Sequence, residues 1–240
     1  MKVEIWSDIV CPWCYVGKRR FESALKDFEH SSDVELRWRS FELDPGAPAQ
    51  RDGDPVQRLA DKYGMSLSEA QAANDRLTAM ATAEGLEYHL DQVHSGNSFD
   101  AHRLLHLAAE HGLQDALKER MFRAYFTEKQ PVGDHETLQR LAVEVGLDET
   151  SVQQVLTSNE YASDVRVDEQ QAVAYGISGV PFFVVDGRYG ISGAQPAELI
   201  LQTLRRAWAD ANPLLVMAGS DQASGQADAG PSCEGDSCAV

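Results

Sequence analysis

The chemistry of this 240-residue chain starts with its four cysteines. They fall in two close pairs at opposite ends, Cys11-Pro12-Trp13-Cys14 and Cys233 with Cys238. Four is too few for a disulfide framework, and close pairing points to exchange or metal binding. Thiol–disulfide exchange needs an exposed thiolate and a second thiol that resolves the mixed disulfide. A helix N-terminus meets both needs. Its unpaired N–H groups and dipole favour a thiolate at the first Cys, and a Cys three residues on sits one turn later. Pro12 suits the first helical position, where its missing N–H is an orphan anyway. Cys11 is therefore assigned as nucleophile and Cys14 as resolving thiol. The competing reading is a zinc tetrathiolate shared with Cys233 and Cys238. Zinc knuckles sit in Gly-containing turns rather than at a strand-to-helix junction opened by Pro, so no metal and no other cofactor is expected.

The surrounding pattern supplies the elements that would position this pair. Val3 and Ile5 share a face, which predicts a short strand over residues 2–6. Val16, Phe21, Ala24, Leu25 and Phe28 follow at helical spacing, and Lys18-Arg19-Arg20 reads as a solvated face of that helix. Ser31-Ser32-Asp33 breaks it, and alternation over Val34 to Phe41 predicts a second strand. Asp44-Pro45-Gly46-Ala47-Pro48 marks a loop. From Asp54 to about Leu156 the pattern is helical, with room for five or more helices. Ser66 and Glu69 form a capping box, and Gly64, Gly85, Gly112 and Gly146 stand where helices should end. Met121, Phe122, Tyr125 and Phe126 recur at core spacing. A further helix is predicted from about Tyr161 to Tyr175. Val180 to Val185 then reads as a strand entering a hairpin, with Asp186-Gly187 as a two-residue turn. Ser192 to Gln195 is a loop, and Pro196 opens a last helix to about Ala209. The stretch after Pro213 is rich in Gly, Ser, Ala, Asp and Gln, a composition that predicts disorder.

A second candidate site lies at Val180-Pro181. Proline at the start of a buried strand removes a ladder donor. A cis Val–Pro bond would account for it, leaving the Val180 carbonyl and N–H to pair with a substrate strand; an ordinary trans Pro at a strand start is the alternative. His102 and His106 stand at i, i+4 on one helix, a spacing that can bind metal. Arg103 occupies the position where a zincin motif has Glu, so packing or surface histidines are the expectation. Asn97 and Ser98 suit a helix N-cap.

Together these residues resemble the DsbA-like branch of the thioredoxin superfamily over about residues 1–210. More closely, Ser7-Asp8-Ile9-Val10-Cys11-Pro12-Trp13-Cys14-Tyr15-Val16-Gly17, Asn97 to Arg103, Gly179-Val180-Pro181-Phe182-Phe183 and Ser192-Gly193-Ala194-Gln195 resemble FrnE-type cytoplasmic dithiol–disulfide isomerases. With the residue pattern dividing the chain into 1–43 and 158–212, an inserted helical domain at 44–157 and a flexible acidic tail at 213–240, the resemblance implies an α/β, thioredoxin-like fold with a large helical insertion. It implies a Cys11 nucleophile, a buried Cys14, a cis Pro181 facing the pair, and supporting roles for Pro12, Trp13 and Asn97. Related scaffolds serve 2-hydroxychromene-2-carboxylate isomerases and kappa-class glutathione transferases, which usually place Ser at the position of Cys11. Thioredoxin has Gly-Pro between its cysteines, whereas this chain has Pro12-Trp13. Trp13 adds no positive charge beside Cys11, so a less oxidising pair than that of a periplasmic oxidase is expected.

Charge narrows the partners. Lys and Arg number 21 against 38 Asp and Glu, a formal charge of −17. That disfavours nucleic acid and anionic membrane as partners. Residues 44–157 hold 10 bases and 19 acids, whereas residues 1–43 hold 7 and 8. The acidity thus belongs to the helical stretch, not to the cysteine neighbourhood. The first residues lack the basic and apolar regions of a signal peptide, and the expected compartment is the cytoplasm, where thiols stay reduced. The expected activity is thiol–disulfide oxidoreductase or isomerase, acting on proteins bearing thiols or disulfides, with glutathione as a possible partner. The alternatives are a glutathione-dependent isomerase or transferase of small aromatic molecules, and a redox-gated chaperone. Cys233 and Cys238 are either an internal redox relay to the first pair or a passive surface pair. A flexible linker of the length that precedes them spans about 25 Å.

Overall fold

The computed structural model describes residues 1–213. Its sheet has four strands in the order β2-β1-β3-β4. β1 (Lys2–Ser7) is central and buried along nearly its whole length. It pairs in parallel with β2 (Glu35–Ser40), from Lys2 opposite Glu35 to Ser7 opposite Ser40. Parallel neighbours need a crossover connection, and α1 (Pro12–Lys26) provides it. On its other edge β1 pairs antiparallel with β3 (Phe182–Val185), which pairs antiparallel with β4 (Tyr189–Ser192).

Between β2 and β3 run seven helices. They are α2 (Pro55–Tyr63), α3 (Leu67–Ala83), α4 (Phe99–Glu110), α5 (Gln114–Phe126), α6 (His135–Glu144), α7 (Glu149–Thr157) and α8 (Ala162–Ala174). The last helix among the described residues is α9 (Ala197–Ala211). The predicted capping box forms, with the Glu69 N–H donating to Ser66 Oγ and the Ser66 N–H to Glu69 Oε2. No helix among the described residues is long and apolar enough to cross a membrane.

α1 is shared between two cores because it carries apolar residues on opposite sides. Phe21 and Ala24 pack with Val3, Ile5, Phe183 and, from α9, Ile200 and Leu204. Cys14, Tyr15 and Val16 belong instead to the core of the helical segment, with Leu104, Phe122 and Phe126. The predicted core residues Met121, Phe122, Tyr125 and Phe126 are all buried there. The ring of Tyr15 stacks on Phe122 with centroids 4.8 Å apart.

Two local expectations change. Lys18-Arg19-Arg20 is not a solvated face. The Lys18 side chain is 3% exposed and meets Glu22, Asp115 and Glu119. Arg19 pairs with Glu22 and Glu119, and Arg20 with Glu84. Helix α5 approaches this side of α1 and replaces water with carboxylates. The hairpin turn is one residue longer than expected. Asp186 and Gly187 hold φ of 49° and 64°, and the Arg188 N–H donates to the Val185 carbonyl at 3.0 Å. The ladder resumes only at Tyr189 opposite Val185.

Candidate active site

The N-terminus of α1 builds the site. Cys11 is the N-cap residue in extended conformation (φ −91°, ψ 110°), and Pro12 opens the helix. The Cys14 N–H donates to the Cys11 carbonyl at 3.0 Å and closes the first turn. Both cysteines are free thiols. Cys11 is 4% exposed and Cys14 fully covered, which leaves access only to the first sulfur. The expectation of an exposed thiolate is therefore corrected: the neighbouring loop covers most of Cys11.

That loop is the one carrying Val180 and Pro181, whose peptide bond is cis. The Cys11 thiol donates to the Val180 carbonyl at 3.5 Å. The Gly193 N–H, from the turn after β4, donates to the Pro181 carbonyl at 2.8 Å. Gly17 explains how close the loop comes. A Cβ there would lie 2.9 Å from Pro181 Cγ and 3.4 Å from Phe183 Cζ, so a side chain at 17 would push the proline off the helix. Trp13 is 40% exposed and stands beside the thiol as an apolar surface. The Pro12 carbonyl accepts the Tyr88 hydroxyl at 2.7 Å. Asn97 follows the helix-cap reading rather than the active-site one. Its Oδ1 accepts the Phe99 N–H at 2.8 Å, and its amide donates to the Ala47 and Pro45 carbonyls. It ties the 45–47 loop to the start of α4, and none of these bonds reaches the cysteines.

Behind the pair lies a polar layer that sequence reasoning missed. Asp8 is fully buried, and its Oδ2 accepts the Leu43 N–H at 2.8 Å. His102 of α4 is buried with Nε2 3.4 Å from Asp8 Oδ1. That contact lacks hydrogen-bond geometry, so both ring nitrogens are without a partner, as is Ser7 Oγ. Lys118 of α5 is fully buried, and its Nζ donates to the Ser7 carbonyl at 3.1 Å. His106 meets Ser40 Oγ at 3.1 Å and Asp168 at 3.3 Å. Among the described residues no cluster of His, Cys, Asp and Glu is arranged to hold a metal.

The electrostatics oppose the simple helix-dipole picture. Hydrogen bonding with the Cys14 side chain, burial, and the charges of Cys14 and Asp8 push the Cys11 thiol well above its usual range, against the pull of the Cys14 N–H. Burial works against the Asp8 carboxylate, but His102, the Leu43 N–H and Ser98 outweigh it and lower its pKa. Burial also lowers the pKa of His102, against the pull of Asp8. Burial also lowers Lys118, to about 8, against the pull of Cys14, Asp8 and Cys11.

A strand-to-helix junction bearing two free thiols, faced by a cis-proline loop on a four-stranded mixed sheet, defines a thioredoxin-type dithiol protein. Residues 2–205 match the DSBA-like thioredoxin domain, and the chain belongs to that family. A probable DsbA oxidoreductase from Streptomyces coelicolor is 49% identical, with a TM-score of 0.85 over 92% of this chain and 97% of that one. The uncharacterized protein YwbO of Bacillus subtilis (strain 168) is 34% identical over 189 residues, 76% of this chain and 86% of its own. The cytosolic disulfide reductase DsbM from Pseudomonas aeruginosa, solved with GSH, shares the fold at 16% identity and a TM-score of 0.60, over 86% of this chain and 100% of that one. The chain is thus a DsbA-like oxidoreductase in fold and family. Cys233 and Cys238 lie outside the described residues.

Proposed function

We propose that this protein reduces and isomerises disulfides of protein substrates in the cytoplasm, in the manner of FrnE-type proteins. Cys11 is the nucleophile, Cys14 the resolving thiol, and the Val180-Pro181 backbone the docking edge for the substrate. Glutathione is the proposed small-thiol partner, and no cofactor is needed. The observation that carries this reading is the Cys11 thiol on the Val180 carbonyl at 3.5 Å, with Cys14 buried one turn behind it. The Cys11 thiolate attacks one sulfur of a substrate disulfide, and the departing substrate thiolate takes up a proton. Cys14 then loses its proton and attacks Cys11 Sγ, freeing the second substrate sulfur. The pair gives up two electrons and the substrate disulfide gains two. In isomerisation a substrate thiolate returns to attack the mixed disulfide first, and the pair ends reduced.

The raised Cys11 thiol supports reduction over oxidation. A strong oxidant needs a stabilised reduced form, as in DsbA, and this site withholds that stabilisation. The test is insulin reduction and refolding of scrambled ribonuclease by the full chain. Cys11→Ser is expected to abolish both, and Cys14→Ser to accumulate mixed disulfides at Cys11. A reduction potential near about −120 mV, that of DsbA, would overturn the reductase and isomerase reading.

A further inference from the structure

The Val180-Pro181 edge is held by a loop of irregular backbone, residues 193–195, that joins β4 to α9. The Gly193 N–H donates to the Pro181 carbonyl at 2.8 Å. Two further bonds stay inside the turn. The Gln195 N–H donates to the Gly193 carbonyl at 3.0 Å, and the Gln195 side-chain amide donates to the Ser192 carbonyl at 2.8 Å. The loop's tie to α1 is Arg20. Its Nη1 donates to the Ala194 carbonyl at 2.6 Å, one residue from the N–H that holds Pro181. Ala194 and Val180 both pack against the core of the helical segment.

A long side chain holds a loop only where its own rotamer freedom has been removed. Glu84 does this for Arg20. Arg20 Nε donates to Glu84 Oε1 at 2.6 Å, and the two side chains are 19% and 25% exposed. Glu84 is the C-cap of α3, and its N–H donates to the Ala81 carbonyl at 3.0 Å. The Leu86 N–H donates to the same carbonyl at 2.8 Å. Nε and Nη1 belong to one planar fork, so Glu84 fixes the direction in which Nη1 points. The contacts then run without a gap from α3 through Glu84, Arg20, Ala194 and Gly193 to the Pro181 carbonyl. The residue before that proline carries the carbonyl that accepts the Cys11 thiol.

We propose that Arg20 is a positioning residue for disulfide exchange: its guanidinium, aimed by Glu84, straps the 193–195 loop in place and so holds the Val180-Pro181 edge over Cys11. This rests on the reading of that edge as the docking site for the substrate. The helical segment thereby sets how firmly the edge stands, through two side chains whose bonds do not reach the sulfurs. An edge held in place meets a substrate strand already ordered, so less of the binding energy is lost in fixing the loop. The same edge shields the nucleophile, for Cys11 is only 4% exposed. A loosened edge therefore has two opposite consequences. Protein disulfides bind less well, and small reagents reach Cys11 faster.

The test compares the reduced full chain with Arg20→Met, which keeps an aliphatic stem, and with Glu84→Ala, which removes the group that aims Arg20. Labelling by iodoacetamide, read by peptide mass, follows Cys11 and Cys14 separately. Arg20→Met is expected to label about tenfold faster at Cys11, the weight of one hydrogen bond to a charged group, with Cys14 unchanged. In insulin reduction its KM is expected to rise about tenfold while kcat stays within about twofold. Glu84→Ala is expected to move both quantities the same way by about threefold, because the fork loses its aim while the Ala194 bond can still form. Faster labelling of both cysteines together would mean a general loosening of α1 and overturns the proposal. Unchanged Cys11 labelling or unchanged KM in Arg20→Met overturns it as well, and so does a Glu84→Ala protein that matches the natural one. If Cys11 labelling rises in both variants while the natural protein leaves insulin untouched, the substrate reading falls and the strap stands.

Discussion

Two lysines are buried where the helical segment meets the cysteine helix, and the protein treats them in opposite ways. Lys18 projects from α1 into three carboxylates, Glu22, Asp115 and Glu119. Burial would lower its pKa, but those carboxylates carry it above the usual lysine value. Lys118 projects from α5 toward the end of β1 and finds a carbonyl. Its pKa falls to about 8 because burial wins there. The contrast separates a structural cation from a responsive one. Lys18 has its charge satisfied at any physiological pH and fastens α1 to α5. Lys118 titrates near the working range.

The largest expected effect comes from breaking the satisfied lysine. Lys18→Met leaves Glu22, Asp115 and Glu119 facing one another without their cation. Losing one partner of a fully buried pair costs about 3–5 kcal/mol. These carboxylates are 35%, 52% and 31% exposed and keep part of their hydration, so the low end, about 3 kcal/mol, is expected. Urea unfolding at pH 7 measures it. The loss should shrink in acid. Burial opposes the Glu119 charge, but Arg19, Tyr15 and Lys18 outweigh it and depress its pKa. Its contribution is therefore present above its ordinary value of 4.5 and is lost as pH falls through the folded value. An unchanged midpoint for Lys18→Met would show that the seam between α1 and α5 is only surface decoration.

Breaking the unsatisfied lysine should have the opposite sign. Lys118→Met removes a charge that the fold holds at a loss. The unfolded chain keeps the lysine proton up to its ordinary value of 10.5, whereas the folded protein releases it at about 8. Between those values the unfolded state binds more protons, so stability rises with pH. The penalty is fully present below about pH 8 and gone above 10.5. The pKa difference corresponds to about 3 kcal/mol. The lost bond to the Ser7 carbonyl offsets about 1 kcal/mol of that. The variant is therefore expected to gain about 2 kcal/mol at pH 7, with the gain fading toward pH 10.5. A loss of stability at pH 7 would mean that Lys118 is satisfied by partners as Lys18 is.

The two lysines also mark where sequence reading reaches its limit. The strand–helix–strand opening, the helix caps and the Pro181 hairpin rest on local periodicity and turn chemistry, and they were legible. The reactive pair was legible because Cys-x-x-Cys carries its chemistry in four adjacent residues. The polar layer was not, because its members meet only through tertiary packing. Lys118 is 111 residues from Ser7, and Tyr88 is 76 from Pro12. A lysine in an amphipathic helix reads as solvent-facing by default. A signal was nevertheless present. Lys118 stands four residues before Phe122 and next to Leu117, on the buried stripe of α5. Lys18 stands four residues after Cys14 and three before Phe21, in the same relation to α1. Charge placed on the apolar stripe of a helix was the clue, and composition averaged over the run Lys18-Arg19-Arg20 hid it. Asn97 shows the reverse case. Its place in a motif suggested the active site and its residue type a helix cap, and its bonds follow the cap reading and hold a loop.

The smallest expected effect sharpens what charge does at this site. Tyr88 also reaches the cysteine helix from the helical segment, but as a neutral donor. Its hydroxyl meets the Pro12 carbonyl at 2.7 Å, and its ring stacks on Phe126 with centroids 4.8 Å apart. Burial raises its pKa, and Cys11 adds to that, so the phenol stays protonated throughout the working range. Tyr88→Phe keeps the ring and removes one hydrogen bond, at a cost of about 1 kcal/mol. It takes away no charge, so the glutathione equilibrium of the pair is expected to stay within about twofold at both pH 6 and pH 8. Thermal unfolding and the glutathione titration read the two quantities separately. An equilibrium that moved well beyond twofold would show that backbone position at the helix N-terminus governs the thiols. A fall in stability alone would make the Tyr88 bond a fastening between the helical segment and α1, as the Lys18 carboxylates are.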